Sequence, residues 1–314
     1  MCSDLKACDP HLNAGKTALP ARGDPIRDNP SARAGCENGH EHATSMRACL
    51  LLASCLLFAC AAGLPAFAAT TGDVQVRLES EDGGYLVWAV NRLAGPVEVM
   101  LHADPGVIGE PELPARATVP ARSSVLVARV HRTGIAHGGL GLRLDTIPGS
   151  VNAAPRDYEY LFPLSSLAPR VEQGWGGRYS HGDAESHHAV DFAADSGTMV
   201  VAAREGIVMQ VDAGETGAGE GSRDGEANFV RILHDDGSMA VYAHLQPAGV
   251  LVQPGQRVRR GQAIGLSGNS GFSSGPHLHF VVQVNRGMHL ESIPFRMFSD
   301  QGILRFSEPG DVAP

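Results

Sequence analysis

The sequence predicts an all-β protein with two folded parts, a small N-terminal β-sandwich and a C-terminal domain built on an antiparallel, barrel-sandwich-like β-sheet. Short apolar runs with an alternating pattern recur along most of the chain, and turn residues separate them. Glycine and proline are frequent, with 38 and 20 residues, which favours a turn-rich β architecture. The C-terminal half has no convincing amphipathic helix pattern. A chain of 314 residues is long enough for two domains with their own cores.

The N-terminal region has a composition of its own. Residues 1–45 are polar and poor in large apolar side chains, which indicates disorder or an extension from a start codon placed too early. Met46 and Arg47 then open an apolar stretch that ends in an A-x-A pattern, so residues 46–68 are predicted to be a secretory signal peptide. A lipoprotein-type motif ends at Cys55, but it lies too early after Met46, and we favour cleavage over lipid anchoring. The expected location is the periplasm or the cell exterior.

Charge and cysteine content exclude several classes of protein. The net charge of -9 argues against nucleic acid as the main partner, because phosphate binding needs a basic surface. All six cysteines lie at or before Cys60. The sequence after Cys60 therefore has neither a C-x-x-C zinc motif nor a disulfide framework.

Residues 69–160 are predicted to form the accessory β-sandwich. Its β-like runs are Val74–Leu78, Tyr85–Val90, Val97–Leu101, Ser124–Val130 and Leu140–Leu144. No catalytic constellation stands out in this part of the sequence. We therefore expect an accessory domain that holds, shields or positions the next one.

Residues 171–284 are predicted to form a second all-β domain, followed by a C-terminal tail at 285–314. A hairpin turn is predicted at 235–237 between two strands, and His234 just before it is expected to be solvated. A long acidic, glycine-rich loop covers 212–227. We interpret this loop as a solvated insertion, with a groove wall or substrate gate as the alternative.

Two histidines open the last apolar run of this domain, in the stretch S-G-F-S-S-G-P-H-L-H-F. His277 and His279 stand two apart at the start of a predicted strand, so both side chains face the same side of the sheet. Neutral imidazole is a preferred zinc ligand, although histidine pairs are also common on solvated surfaces. Two further motifs favour a metal site, Asp191 in H-A-V-D-F-A and His244 in Y-A-H-L.

These motifs, in this order, resemble the lysostaphin-type (LytM-like) zinc metallopeptidases, which cut peptidoglycan. The resemblance covers about residues 171–284. It implies a β-rich catalytic domain with a groove over an antiparallel sheet and one zinc ion per catalytic domain. It also implies a peptidoglycan substrate whose peptide cross-bridges are hydrolysed, with cell-envelope proteins as further expected partners.

Carried onto this sequence, the resemblance assigns Asp191 and His279 as zinc ligands and His244 and His277 as catalytic residues. Two histidines and one aspartate leave a fourth zinc position for water, which is the arrangement of catalytic rather than structural sites. The sequence has no H-E-x-x-H motif, so the usual glutamate base is missing and a histidine is expected to replace it.

The first zinc ligand has two candidates. His187 lies four residues before Asp191 and fits a compact H-x-x-x-D form, whereas His188 is expected to face the other way. His181 stands ten residues before Asp191, in a G-G-x-x-S-H context that resembles a branch of the family using this serine–histidine pair. We favour His181 and keep His187 as the alternative, since zinc requires only that its tetrahedral geometry is met.

Two other functions fit parts of the pattern. The stretch V-x-P-G-Q-x-V-x-x-G-Q-x-I-G resembles biotinyl and lipoyl carrier domains, but the only lysines are Lys6 and Lys16, which excludes a carrier lysine. The second alternative is a non-catalytic LytM-like regulator that activates cell-wall amidases. Such proteins tend to lack a metal ligand, whereas a complete set is available here, so an enzyme is favoured.

Overall fold

Strands joined by turns make up the described part of the chain. The computed structural model describes residues 72–133, 139–165, 169–217 and 227–306. They all fall within one compact unit, Pro65–Pro314, and form strands and turns without a helix. None of them therefore supplies a helical membrane span. The extension predicted at 1–45 and the signal peptide predicted at 46–68 lie outside the described residues.

The N-terminal part is a sandwich of two antiparallel sheets. Its strands are β1 (Val74–Glu81), β2 (Gly84–Asn91), β3 (Val97–His102), β4 (Val107–Glu110), β5 (Ala115–Val119), β6 (Ser124–Arg132) and β7 (Arg143–Pro148). One sheet has the order β1-β2-β6-β4 and the other the order β5-β3-β7. Alternate residues such as Val87, Ala89 and Val99 are fully buried between the sheets. The period-two apolar pattern that predicted the sandwich thus forms its core.

The second part is built around one large sheet with smaller sheets beside it. Its strands are β8 (Glu159–Leu161), β9 (Val171–Gln173), β10 (Val190–Ala193), β11 (Met199–Val201), β12 (Gly206–Asp212), β13 (Phe229–Leu233), β14 (Met239–Ala243), β15 (Leu245–Val250), β16 (Arg257–Val258), β17 (Ala263–Ser267), β18 (His277–Asn285), β19 (Leu290–Ser292), β20 (Arg296–Ser299) and β21 (Gly302–Leu304). The large sheet has the order β16-β12-β13-β14-β18-β10-β9, and β19 pairs with β18. Two three-stranded sheets, β11-β17-β15 and β21-β20-β8, complete the fold.

The two faces of the large sheet differ in polarity. Phe192, Tyr242 and Phe280 point to one face and are fully buried in the main core of this domain. Since successive side chains alternate, Asp191 and His279 point to the opposite face. Strand alternation therefore gives the sheet one buried apolar face and an opposite face that presents polar, titratable side chains.

The sandwich packs against one end of the large sheet. Met209, Met239 and Leu290 join the apolar core of the sandwich, and the Ala94 amide donates a hydrogen bond to the Met209 carbonyl at 3.1 Å. Met239 opens β14, and His244 directly follows the other end of that strand. A five-residue strand is about 17 Å long, so the sandwich contacts the end of the sheet remote from His244.

The C-terminal stretch predicted as a tail contributes strands to the fold. In β19, Leu290 pairs with Asn285 of β18. In β20, Met297 is fully buried and pairs in parallel with Tyr160 of β8. The described part of this stretch therefore closes the core of the second domain.

The predicted hairpin is observed, but the expectation for the histidine beside it is wrong. Leu233 pairs with Met239 across the turn. His234 is only 3 % exposed rather than solvated, and its Nδ1 lies 2.8 Å from the Glu205 carbonyl. Its ring also meets Tyr160 edge-on, with centroids 5.7 Å apart. Strand β8 covers the start of the hairpin, and short-range sequence patterns do not reveal that contact.

Candidate metal centre

A row of cross-strand pairs sets the position of the site. Gln173 pairs with Asp191, and Asp191 pairs with His279. His279 also pairs with Ala243, so His244 follows at the same edge of the sheet. Directly opposed residues point to the same face with Cβ atoms about 5 Å apart. Side chains that are far apart in sequence therefore meet on the polar face.

The structure brings together His181, Asp191 and His279. Asp191 Oδ1 lies 2.9 Å from Nδ1 of His279 and 3.2 Å from Nε2 of His181. One ligand atom from each of the three residues lies within 4.8 Å of the others. Two imidazole nitrogens and one carboxylate oxygen are a donor set that catalytic zinc sites use, with a fourth position left for water.

The hydrogen bonding of His181 fits a cation at this point. Its Nδ1 lies 2.8 Å from the Gly174 carbonyl, which can only accept, so Nδ1 carries the proton. In neutral imidazole, Nε2 is then a lone-pair nitrogen, and it faces the Asp191 carboxylate. His181 Nε2 and Asp191 Oδ1 would then both be hydrogen-bond acceptors, and a positive charge between them would stabilise this close approach. The residues present therefore fit a divalent metal ion.

Electrostatics within the group favour a positive charge beside Asp191. Burial opposes the charged form of Asp191, yet hydrogen bonds and charges from His181 and His279 hold the pKa of this carboxyl far below its usual range. Burial likewise opposes charging of His181, but the neighbouring Asp191 raises the pKa of this histidine. The site is arranged to keep a carboxylate ionised while it is only 7 % exposed.

Two further histidines lie beside this group with their tautomers fixed by backbone carbonyls. His244 Nδ1 lies 2.7 Å from the Ser270 carbonyl, and His277 Nδ1 lies 2.8 Å from the Gly275 carbonyl. Both Nδ1 atoms therefore carry protons, which leaves each Nε2 as a lone-pair nitrogen. The ring centroids of His244 and His277 lie 4.6 Å apart, and His277 Nε2 is 3.7 Å from Asp191 Oδ1.

His244 adopts a backbone conformation that few side chains tolerate. Its φ is 61°, in the left-handed region that costs a residue with a Cβ about 1–2 kcal/mol. The residue lies between β14 and β15, where the chain leaves the large sheet. This corner directs the ring towards His277 and His279. Burial, followed by the neighbouring charges of His279 and His277, lowers the pKa of His244 to about 3.

A cleft of about 370 Å³ opens over these histidines. Tyr179 and Phe272, from the loops before β10 and before β18, both line it and stack with ring centroids 5.5 Å apart. Ala227 also lines the cleft, and the Gly271 amide donates to the Gly217 carbonyl at 3.0 Å. The described ends of the acidic loop thus lie beside the cleft, which favours the groove-wall alternative. Residues 218–226 lie outside the described part.

His187 and His188 lie elsewhere. Strand β10 begins at Val190, so the alternation used for the H-x-x-x-D interpretation does not extend back to these residues. His187 packs its ring edge-on against His188, with centroids 4.9 Å apart. His188 Nδ1 lies 3.0 Å from the Ser292 carbonyl. Among the described residues, neither belongs to the group that could hold a metal ion. The choice of His181 over His187 stays a prediction, and the geometry supports it.

Sequence reasoning missed the groups that orient these histidines. Gly174, Ser270 and Gly275 supply backbone carbonyls, and Gln173 donates its side-chain amide to Asp191 Oδ2 at 3.0 Å. Backbone carbonyls leave no mark on residue identity. For Gln173, the available signal was its position directly before G-x-G-G and seven residues before S-H.

Comparison with known proteins identifies the family of this region. Residues 185–290 match Peptidase family M23. The chain is 42 % identical over 98 residues to the peptidoglycan DD-endopeptidase ShyA of Vibrio cholerae, covering 31 % of this chain and 20 % of that protein. It is 37 % identical over 124 residues to the glycyl-glycine endopeptidase ALE-1 of Staphylococcus capitis, covering 38 % of this chain and 32 % of that protein.

A third relative is described only as a metalloprotease. This protein of Haemophilus influenzae is 38 % identical over 127 residues, covering 40 % of the present chain and 24 % of its own length. The chain thus spans between a fifth and a third of the length of these relatives. The family match at 185–290 includes Asp191, His244, His277 and His279, whereas His181 lies just before it. This chain therefore contains a peptidase domain of family M23.

Proposed function

We propose that the protein is a zinc-dependent endopeptidase that hydrolyses peptide cross-bridges of bacterial peptidoglycan. The observation that carries the proposal is the convergence of His181, Asp191 and His279 beside two further histidines in one open cleft. The names of ShyA and ALE-1, both endopeptidases, support the reaction class.

His181, Asp191 and His279 would hold the metal. When bound, a zinc ion supplies Lewis-acid chemistry, which makes water more acidic and a carbonyl carbon more electrophilic. His244 and His277 each present an Nε2 lone pair towards the cleft while Nδ1–H donates to a backbone carbonyl. Either nitrogen can take a proton from the attacking water and return it to the leaving amine. Once protonated, the same nitrogen can donate a hydrogen bond to the developing oxyanion.

The cleft suits an extended peptide rather than a compact small molecule. It lies over the polar face of the large sheet, and its lining includes Ser273, Ser274 and Ala227, which are small side chains. The stacked pair of Tyr179 and Phe272 forms one wall. Small residues leave room for a peptide backbone to approach, which fits the short side chains of cross-bridge peptides.

We also propose that the protein acts outside the cytoplasm. The sequence pattern at 46–68, with a basic start, an apolar middle and an A-x-A ending, supports export. Peptidoglycan lies on that side of the membrane, so location and substrate agree. N-terminal sequencing of the exported protein tests this proposal, and an N-terminus at Ala69 is expected.

The activity is tested with purified full-length protein and defined cross-linked muropeptides. Substrates with a D-Ala–diaminopimelate bond and with a glycine bridge are digested in parallel, and products are identified by mass spectrometry. We expect cleavage that a chelator and His244→Ala abolish while the fold persists. Hydrolysis insensitive to chelator contradicts the proposal. A metal-free protein that stimulates a cell-wall amidase identifies the regulator instead.

A further inference from the structure

We propose that Gln173 is a positioning residue that fixes the Asp191 carboxylate in one orientation, so that only Oδ1 faces the histidine nitrogens. This inference rests on the proposed function, because it assigns a role in the metal centre on which that function depends. It concerns a residue that contacts a metal-binding side chain rather than the reacting atoms.

The side chain of Gln173 uses both ends of its amide. Its Nε2 donates to Asp191 Oδ2 at 3.0 Å and to Ser180 Oγ at 2.8 Å. Its Oε1 accepts a hydrogen bond from the backbone amide of Tyr179 at 3.1 Å. A backbone N–H can only donate, so it must face Oε1, which directs Nε2 towards Asp191. The orientation of the glutamine amide is therefore determined by its surroundings.

The consequence for Asp191 is that its two oxygens differ. Oδ2 accepts a hydrogen bond from Gln173, whereas Oδ1 lies 2.9 Å from His279 Nδ1 and 3.2 Å from His181 Nε2. A carboxylate can bind a metal through one oxygen or through both. By engaging Oδ2, Gln173 favours binding through Oδ1 alone, which keeps a four-coordinate site with room for water.

Gln173 also connects Asp191 to the loop that carries the other early ligand. Its contacts Tyr179 and Ser180 directly precede His181. The next residue along the chain, Gly174, supplies the carbonyl that fixes the His181 ring. One short stretch at the end of β9 therefore sets the relative position of two ligands.

Gly177, which lies against the Gln173 side chain, is needed for this arrangement. A Cβ placed on Gly177 would lie 2.2 Å from Cγ of Gln173 and 2.6 Å from its Cδ. Any larger residue at this position must displace the glutamine side chain. Gly177→Ala therefore moves Gln173 without changing its chemistry, which provides a second, independent variant.

The first test compares zinc affinity in the full chain and in Gln173→Met. Methionine keeps the length and the packing over Gly177 but cannot donate to Asp191. Competition with a coloured chelator measures the zinc dissociation constant, and thermal unfolding of the chelated protein measures the fold. We expect zinc binding to weaken about 10–100-fold, as for other outer-shell partners of metal ligands, at an unchanged unfolding temperature. Gln253→Met, at an exposed turn position, is the matched control and should bind zinc normally.

The possible outcomes separate this inference from the proposed function. A full chain that binds no zinc overturns the proposed function and this inference together. Zinc binding by the full chain with an equal dissociation constant in Gln173→Met overturns the inference alone. If Gln173→Met does not fold, Gly177→Ala decides the question in the same way, because weakened zinc binding supports the role of Gln173 and unchanged binding overturns it.

Discussion

Two buried aspartates, Asp191 in the candidate metal centre and Asp236 in the hairpin turn, differ in how their charge is balanced. Asp236 Oδ2 accepts from the Arg204 guanidinium at 2.8 Å, and its Oδ1 accepts from the Ser238 hydroxyl at 2.6 Å. Burial opposes ionisation, but these contacts hold the pKa of Asp236 well below its usual range. Asp236 therefore has a permanent cation supplied by the protein itself.

Asp191 has no such cation among the described residues. Its Oδ2 accepts from the neutral amide of Gln173, and its Oδ1 faces ring nitrogens of His181 and His279. Leaving a buried charge unpaired is costly, so a site of this kind is completed by a bound ion or by protonation of a neighbour. An aspartate paired with arginine is satisfied within the fold, whereas a carboxylate among histidines is available for function.

The largest expected effect comes from Asp191→Asn. Asparagine keeps the volume and an acceptor for Gln173 but removes the charge of the proposed metal ligand. We expect zinc affinity to fall more than about 100-fold, which exceeds the loss expected when a residue that only contacts a metal ligand is replaced. Muropeptide hydrolysis should fall about 1,000-fold. The free energy of unfolding of the chelated protein should fall by less than it does in Asp236→Asn, because His181 and His279 can lose their protons whereas Arg204 stays charged. Zinc titration, product analysis and urea unfolding measure the three quantities, and a large loss of stability would remove the contrast with Asp236.

Asp236→Asn should lower the free energy of unfolding and leave zinc affinity nearly unchanged. Arg204 is 1 % exposed and, of the anionic partners seen in the described part of the chain, would keep only the exposed Asp235, at 2.6 Å. Breaking a buried pair from one side typically lowers the free energy of unfolding by about 3–5 kcal/mol. Zinc affinity measured on the folded protein should remain within about threefold. An equal loss of zinc affinity would show that the two regions are not independent.

The Asp236 region also predicts a pH dependence of stability through His234. Burial is the main cause that lowers the pKa of His234 from 6.5 to about 4. Because the unfolded chain binds this proton more readily, stability is full above pH 6.5 and declines as the pH falls towards 4. The loss reaches about 3 kcal/mol at most, since one pKa unit corresponds to about 1.4 kcal/mol.

The measurement is the free energy of unfolding of the chelated protein between pH 4 and 7, compared with His234→Asn. The variant should lose the part of the pH dependence that belongs to His234. His289→Asn, at an exposed position, is the control and should retain it. Identical pH profiles for the parent chain and His234→Asn would contradict the assignment.

The smallest expected effect concerns the strained corner at His244. With a φ of 61°, glycine should be more stable than alanine there by about 1 kcal/mol, as measured by the free energy of unfolding with chelator present. Both variants should be inactive. At His277, the first residue of β18, the order should reverse, because glycine weakens a strand relative to alanine. The same order at both positions would show that backbone strain at His244 is not the cause.

The sequence predicted the features that depend on short-range periodicity or on the family resemblance. Alternation indicated that His277 and His279 share a face, and strand β18 confirms this. The all-β class and the hairpin before Met239 were also predicted correctly. The motifs H-A-V-D-F-A and Y-A-H-L added Asp191 and His244 as site candidates, and the resemblance supplied their roles. The structure brings both close to the histidine pair, while their roles stay predictions.

The features that sequence analysis did not predict depend on contacts between distant segments. Gln173 meets Asp191 only because β9 and β10 pair at that register. His234 is buried because β8 lies over the hairpin. The left-handed backbone of His244 follows from a strand that changes sheets, and no glycine marks the position. In each case the determining partner lies too far along the chain for a local pattern to reveal it.

The most direct test of the central claim is the zinc content of the full chain and of two alanine variants, measured by elemental analysis after exhaustive dialysis. If Asp191, His181 and His279 together bind one zinc ion, the parent protein and His187→Ala should each contain one zinc per chain. His181→Ala should contain none. Zinc retained in His181→Ala and lost in His187→Ala would contradict it.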